Sequence, residues 1–163
     1  DNRVDLALGT SGEAPSGGGF ACRLLGWRGQ VYAVSPKHPL ARESGPLQRA
    51  QILAHRAVAV GDTSRSLPPR SVGLLTGQDV LTVPDMASKV AAQVAGLGGG
   101  YLPAGLAVPL VKAGKLVIRE VEDGAPDGNL YYSWRSADRG KALRWFLRRL
   151  EDESVRRQLM EPL

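Results

Sequence analysis

The sequence predicts an α/β fold with a mostly parallel sheet. Short apolar runs rich in β-branched residues alternate along the chain with stretches of helical periodicity. Gly and Pro, 20 and 11 of 163 residues, punctuate it too often for a helical bundle. Hydrophobic residues make up 43%, enough for a packed core, and the single cysteine, Cys22, excludes an internal disulfide framework.

The elements follow in order. Val4 to Leu8 is a short, mostly buried strand that ends at Gly9-Thr10. Ser11 to Gly19 is a Gly/Ser/Pro-rich surface loop; it lacks the Gly-Lys-Ser/Thr ending of a phosphate loop. Phe20 to Trp27 and Gln30 to Val34 are strands joined near Arg28-Gly29. Ser35-Pro36-Lys37-His38-Pro39 stops the second, because proline withholds the donor that strand pairing needs. Leu47 to Leu53 suits a short helix, and Ala54 to Val60 a buried strand. Thr63 to Gly73, with Pro68-Pro69, is a loop or a single helical turn.

Val80 to Val83 is a strand, which Pro84-Asp85-Met86 converts into a helix over 86–95. Val90, Ala91 and Val94 share one face of that helix, Asp85 caps it and Gly96 closes it. Gly98 to Pro103 is a short strand whose backbone must approach something closely. Leu106 to Ala113 is a second short helix ended by Gly114. Lys115 to Val121 and Leu130 to Trp134 are strands around a turn-rich link. Ala137 to Glu153 is the last and longest helix, with Leu143, Phe146, Leu147 and Leu150 as its apolar stripe.

Charge and motifs exclude several functions. The net charge of +5 is uneven: residues 1–134 carry 13 basic and 11 acidic side chains, residues 135–163 carry 8 and 5. A modest basic helix of this kind is a solvated face; nucleic-acid binding wants a denser cluster with aromatic or amide readers. The longest apolar run, Leu106 to Val111, contains Pro109 and is far too short to span a bilayer, so no membrane partner is expected. There is no Gly-x-Ser-x-Gly elbow, His38 sits between prolines, and His55 opens a buried strand, so no catalytic residue is assigned and no enzyme is expected. Gly98-Gly99-Gly100 follows a helix rather than a strand, which removes a dinucleotide fingerprint; no cofactor is expected. Two histidines and one cysteine leave few ligands for a metal, and none is assigned. The chain opens on Asp1-Asn2-Arg3 with no apolar leader, which reads as part of a larger protein, and a cytoplasmic location is expected.

The order of motifs resembles a known family. Arg3-Val4-Asp5-Leu6-Ala7-Leu8-Gly9 comes first, then Val31-Tyr32-Ala33-Val34-Ser35-Pro36-Lys37-His38-Pro39-Leu40. Val80 to Ser88, Ala92 to Pro103 and Gly114-Lys115-Leu116-Val117 follow, and Leu130 to Arg135 precedes an amphipathic helix. The most specific parts are residues 92–117 and the strand leading into His38-Pro39-Leu40. Together these look like the effector-binding domain of LysR-type transcriptional regulators. The resemblance runs nearly from end to end but starts late, without the strand-helix-strand-helix unit that opens such domains.

The resemblance implies a two-lobed fold like a type 2 periplasmic binding protein, with the first lobe incomplete. Residues 1–34 and 129–163 would form that partial lobe, and 35–128 the second. It also implies a small-molecule effector, with a carboxylate as the expected class, and a homodimer or homotetramer with helix 86–95 and the last helix as candidate contacts. DNA would be reached only through a helix-turn-helix domain absent from this chain. The alternative is a periplasmic-type solute-binding protein of a transporter.

In such folds ligands bind at the carboxyl ends of strands and the amino ends of helices, where unpaired N–H groups favour anions. The matching positions are Gly9, Thr10, Ser35, Pro36, Thr63, Ser64, Met86, Ser88, Gly99 and Gly100. Each also has a plain structural reading. Thr10 ends a strand, Ser35-Pro36 forms a hinge turn, and Thr63 and Ser64 are loop polar groups. Met86 packs in a core, and Gly99 and Gly100 allow close strand packing. Asp85 is a cap whose charge opposes an anion, and Arg65 is either a carboxylate clamp or a surface arginine.

Overall fold

The computed structural model describes residues 4–11, 19–61, 73–126, 128–138 and 140–160. The first strands are β1 (Leu6–Ser11), β2 (Phe20–Trp27) and β3 (Gln30–Val34). Helix α1 (Arg49–Leu53), strands β4 (Ala57–Val60) and β5 (Val80–Val83) and helix α2 (Met86–Val94) come next. Strand β6 (Gly100–Pro103), helix α3 (Ala104–Lys112) and strands β7 (Val117–Arg119) and β8 (Asn129–Arg135) follow. Two helices, α4 (Lys141–Glu151) and α5 (Glu153–Met160), end the chain. The chain divides into two compact units, Asp1–Gly29 with Asp127–Leu163, and Gln30–Pro126. Strand β3 falls in the second unit because its ladder partners, β6 and β7, lie there; the sequence places the lobe boundary after it.

In the first unit β8 lies between β1 and β2, antiparallel to both. Leu25, Tyr132 and Leu150 are buried together, with Leu6, Leu130, Trp134, Leu147 and Met160 packed around them. Helices α4 and α5 thus rest on the sheet through Leu147, Leu150 and Met160. The sequence expects one helix here, and the structure has two. Asp152 ends α4 in extended backbone, and its carboxylate accepts from the Ser154 N–H and hydroxyl at 2.9 and 2.7 Å, which starts α5. Arg156 donates to the carbonyls of Leu150 and Glu151 at 2.6 and 2.9 Å, covering the open end of α4. Phe146, expected in the apolar stripe, is 50% exposed and pairs edge-on with Trp145.

In the second unit β3 lies between β6 and β7, antiparallel to both, and β4 runs parallel to β5. An isolated parallel bridge, Ala57 to Gly99, joins β4 to the residue before β6, with the Val58 N–H on the Gly99 carbonyl at 2.9 Å and the Gly99 N–H on the Arg56 carbonyl at 3.0 Å. The sheets therefore mix parallel and antiparallel pairing, where the alternation of elements in sequence led to an expectation of mostly parallel ones. Alternate residues of β3 face opposite ways. Tyr32 and Val34 pack with Leu40, Leu47 and Ile52, whereas Ala33 packs with Leu102, Ala107 and Leu116 beneath Val90 and Val94 of α2.

The proline-rich break after β3 is itself structured. Pro39–Ala41 form a 3-10 turn, and His38 Nδ1 accepts from the Leu40 N–H at 3.2 Å. Arg119 donates to the carbonyls of Leu40, Ala41 and Gly45 at 2.9, 3.2 and 2.6 Å, fixing the turn and the start of the segment that follows. Among the described residues no helix is long and apolar enough to cross a membrane.

Candidate functional site

Helix α2 organises the second unit's candidate residues. The chain leaves β5 at Val83, turns at Pro84-Asp85, and the Asp85 carboxylate accepts from the Ser88 N–H at 2.7 Å. This hydrogen bond to Ser88 holds the Asp85 carboxyl below its ordinary value. Asp85 is thus a cap, as its plain reading has it. Met86, 37% exposed, and Ser88, half-buried, sit in the first turn.

The other candidates are placed as follows. Ser35 is buried, and its Cβ is 3.7 Å from the position a Cβ would take on Gly96. It therefore lies beside the carboxyl end of α2, opposite to Met86 and Ser88. Its hydroxyl accepts from the Lys37 N–H at 3.4 Å, and Pro36 is exposed. Gly9 and Thr10 lie in the first unit. Gly9, at φ +79°, is skipped between the register pairs Leu8–Tyr132 and Thr10–Tyr131, so it forms a β-bulge. Thr63, Ser64 and Arg65 lie outside the described residues.

Gly98 and Gly99 are explained by packing. A Cβ on Gly98 would stand 2.6 Å from the Arg56 carbonyl oxygen, and one on Gly99 would stand 2.7 Å from the Tyr32 hydroxyl and 2.8 Å from Val34. Gly100 faces the other side of the sheet. A Cβ there would meet the Val58 carbonyl oxygen at 3.1 Å, Gln93 Nε2 at 3.5 Å and Lys89 Cε at 3.7 Å.

Those last two residues were not singled out from the sequence. Gln93 is fully buried; its Nε2 donates to the carbonyls of Ala33 at 3.0 Å and Gly100 at 2.9 Å, while its Oε1 has no partner. Lys89, one turn earlier on the same face, is half-buried, and burial holds its ammonium below the ordinary lysine value. The available signal was positional: Gln93 stands at helical spacing between Val90 and Val94, a polar residue on a face that reads as apolar.

Two histidines also meet. The rings of His38 and His55 are 5.0 Å apart in an edge-on arrangement, and among the described residues no cluster of three His, Cys, Asp or Glu side chains is arranged to hold a metal. A cavity of about 230 Å³ opens elsewhere in the second unit, between Ile52, Leu75, Tyr101 and Val121. Tyr101 and Gly124, both in its lining, are joined by a hydrogen bond from the Tyr101 hydroxyl to the Gly124 carbonyl at 2.9 Å.

The family description "LysR substrate binding domain" matches residues 1–154. The chain belongs to that family. Among relatives of this LysR substrate-binding domain is the uncharacterized HTH-type transcriptional regulator YeeY of Escherichia coli K12. It is 37% identical over 144 residues, covering 88% of this chain and 47% of YeeY. The HTH-type transcriptional regulator PunR of the same organism is 36% identical over 155 residues, covering 95% of this chain and 50% of PunR. The chain spans about half the length of these curated relatives. Among solved structures, the effector-binding domain of QuiR in complex with shikimate aligns with a TM-score of 0.65 at 14% identity, covering 99% of this chain and 75% of QuiR's. That likeness carries the two-lobed, type 2 periplasmic-binding-protein-like fold of LysR regulatory domains over to this chain.

Proposed function

We propose that this LysR substrate-binding domain binds a small-molecule effector and passes its occupancy to the DNA-binding part of a transcriptional regulator. The observation that carries this reading is the family match over residues 1–154, together with relatives that are HTH-type regulators rather than transport components. The domain's task is binding rather than turnover. It works in the cytoplasm as a homodimer or homotetramer, and it reaches DNA through a helix-turn-helix domain outside these residues. An effector acts only if it prefers one arrangement of the assembly over another; a ligand with equal affinity for both shifts nothing.

The effector-contacting residues proposed are Thr10, Ser35, Thr63, Ser64, Met86 and Ser88, with Gly9, Pro36, Gly99 and Gly100 shaping the backbone around them. A carboxylate is the favoured effector class. The solved QuiR domain holds shikimate, an organic acid, which supports that choice by likeness of fold. Replacing Thr10 or Ser64 by Ala is expected to weaken effector binding while the domain stays folded. Unchanged affinity in both variants would overturn this placement of the site.

A further inference from the structure

One cation in the second unit lacks an explanation. Lys89 lies one turn into α2 and is half-buried, yet among the described residues it forms no ion pair and no side-chain hydrogen bond. The acid closest in sequence, Asp85, spends its carboxylate on the Ser88 N–H that starts the helix. A lysine with no partner ordinarily extends its charge into water, because withdrawing an ammonium from water without compensation is costly. Here the methylenes instead run toward Gly100, where Lys89 Cε stands 3.7 Å from the position of a Cβ.

The residue one turn on adds an independent observation. Both N–H bonds of the Gln93 amide are committed, to Ala33 and to Gly100, so the orientation of the amide is fixed. Its Oε1 is then left as a buried acceptor with no donor. A buried polar atom without a partner calls for an explanation such as a bound water or ion, and marks this helix face as polar where it meets the sheet. Lys89 and Gln93 lie at i and i+4 on one face of the helix and flank the same glycine.

We propose that Lys89 is the anion-binding residue of the ligand site, and that the ligand is a small organic acid whose carboxylate meets Lys89. This rests on the effector-binding reading above and specifies its ligand class. A single ammonium, with the Asp85 carboxylate one turn away, matches a monoanion; a phosphate dianion would want further cations. A Cβ on Gly100 would press on the Val58 carbonyl oxygen at 3.1 Å, so glycine at this position lets Gln93 and Lys89 lie against the strand.

The test uses the whole chain, whose five lysines give a simple spectrum after reductive ¹³C-methylation. The Lys89 resonance is assigned with Lys89→Arg. The probes are shikimate and lactate, with lactamide as the neutral counterpart. The proposal expects saturable movement of the Lys89 resonance with the acids and not with lactamide. It expects a loss of about tenfold or more in acid affinity for Lys89→Met, most of it restored in Lys89→Arg. Removing a desolvated charge leaves the melting temperature of Lys89→Met unchanged or higher, which separates lost binding from lost fold. If the acids bind Lys89→Met as tightly as the parent chain, the assignment falls and effector binding stands. If no compound of any charge shifts the melting of the parent chain, the effector reading falls with it.

Discussion

The side-chain Nε2 of Gln93 donates to the carbonyl oxygen of Ala33 at 3.0 Å, across 60 positions of sequence. The same nitrogen donates to Gly100 at 2.9 Å, and Ala33 and Gly100 are register partners in the β3–β6 ladder. Helix α2 is therefore bound to the sheet by one amide as well as by the apolar contacts of Val90 and Val94. Gln93→Met keeps the volume and removes the donors. Denaturant unfolding is expected to show a loss of about 1–3 kcal/mol, the usual cost of leaving buried polar groups without partners. An unchanged midpoint would mean that the amide contributes nothing to stability.

The close approach of β4 and β6 gives a steric prediction. Gly98→Ala places a methyl against the Arg56 carbonyl, which is backbone and cannot rotate away. A loss of about 1–3 kcal/mol is expected from overpacking, read as a fall in melting temperature. Gly77→Ala serves as a contrast. Nothing lies within 4 Å of that site, but its φ of +84° favours glycine. Its cost is the conformational one alone, about 1–2 kcal/mol.

Protonation of His38 gives a pH dependence of known sign. Burial, and secondarily the His55 ring, hold the His38 imidazole below its ordinary value. Its Nδ1 accepts from the Leu40 N–H, which only the unprotonated nitrogen can do. The unfolded chain therefore binds the proton more readily than the folded one. The stabilising contribution is complete above about pH 6.5 and is lost as the pH falls through the folded-state value. His38→Asn keeps an acceptor for Leu40 and does not titrate. Its melting temperature is expected to fall less than that of the parent between pH 7 and pH 5, and parallel profiles would contradict this account.

Arg119 ties β7 to the 3-10 turn and to Gly45 beyond it through three carbonyl oxygens. Arg119→Met retains the stem and removes every donor. A loss of about 1–3 kcal/mol is expected. Hydrogen exchange locates it: the amides of Leu40 to Gly45 are expected to lose protection ahead of those in β6.

Much of this arrangement is legible in the sequence, because local chemistry dictates it. Asp85 after Pro84 announces the start of α2, and Val80–Val83 announces a strand; the strand expected over Ala54–Val60 begins only at Ala57, after α1 and its closing turn. Three glycines at 98–100 announce a backbone contact, which proves to be with Arg56 and Tyr32. Pairing direction is not local. β8 inserts between β1 and β2 after the entire second unit, and nothing in Leu130 to Trp134 states that it will run antiparallel to both. The break at Asp152 is hidden by a charged periodicity that continues through it. The proline pair around His38 reads as a stop, whereas Pro39 opens a turn that His38 caps.

The candidate site is legible in part. Met86 and Ser88 stand where the strand-turn-helix signature puts them, in the first turn of α2. Ser35 stands at the helix's other end, a placement that needs the β3–β6 register and not the motif. Lys89 and Gln93 are not visible to a reading that sends polar residues outward. Burial of a helix face on a sheet, next to a glycine that leaves space, turns them inward instead.

The most direct test of the central claim is a melting-temperature screen of the intact chain against small metabolites weighted toward organic acids. A ligand that binds only the folded state adds about 2.7 kcal/mol at a hundred times its dissociation constant. The account predicts a cooperative melt with a saturable upward shift confined to carboxylates. A cooperative melt that no compound moves would contradict it.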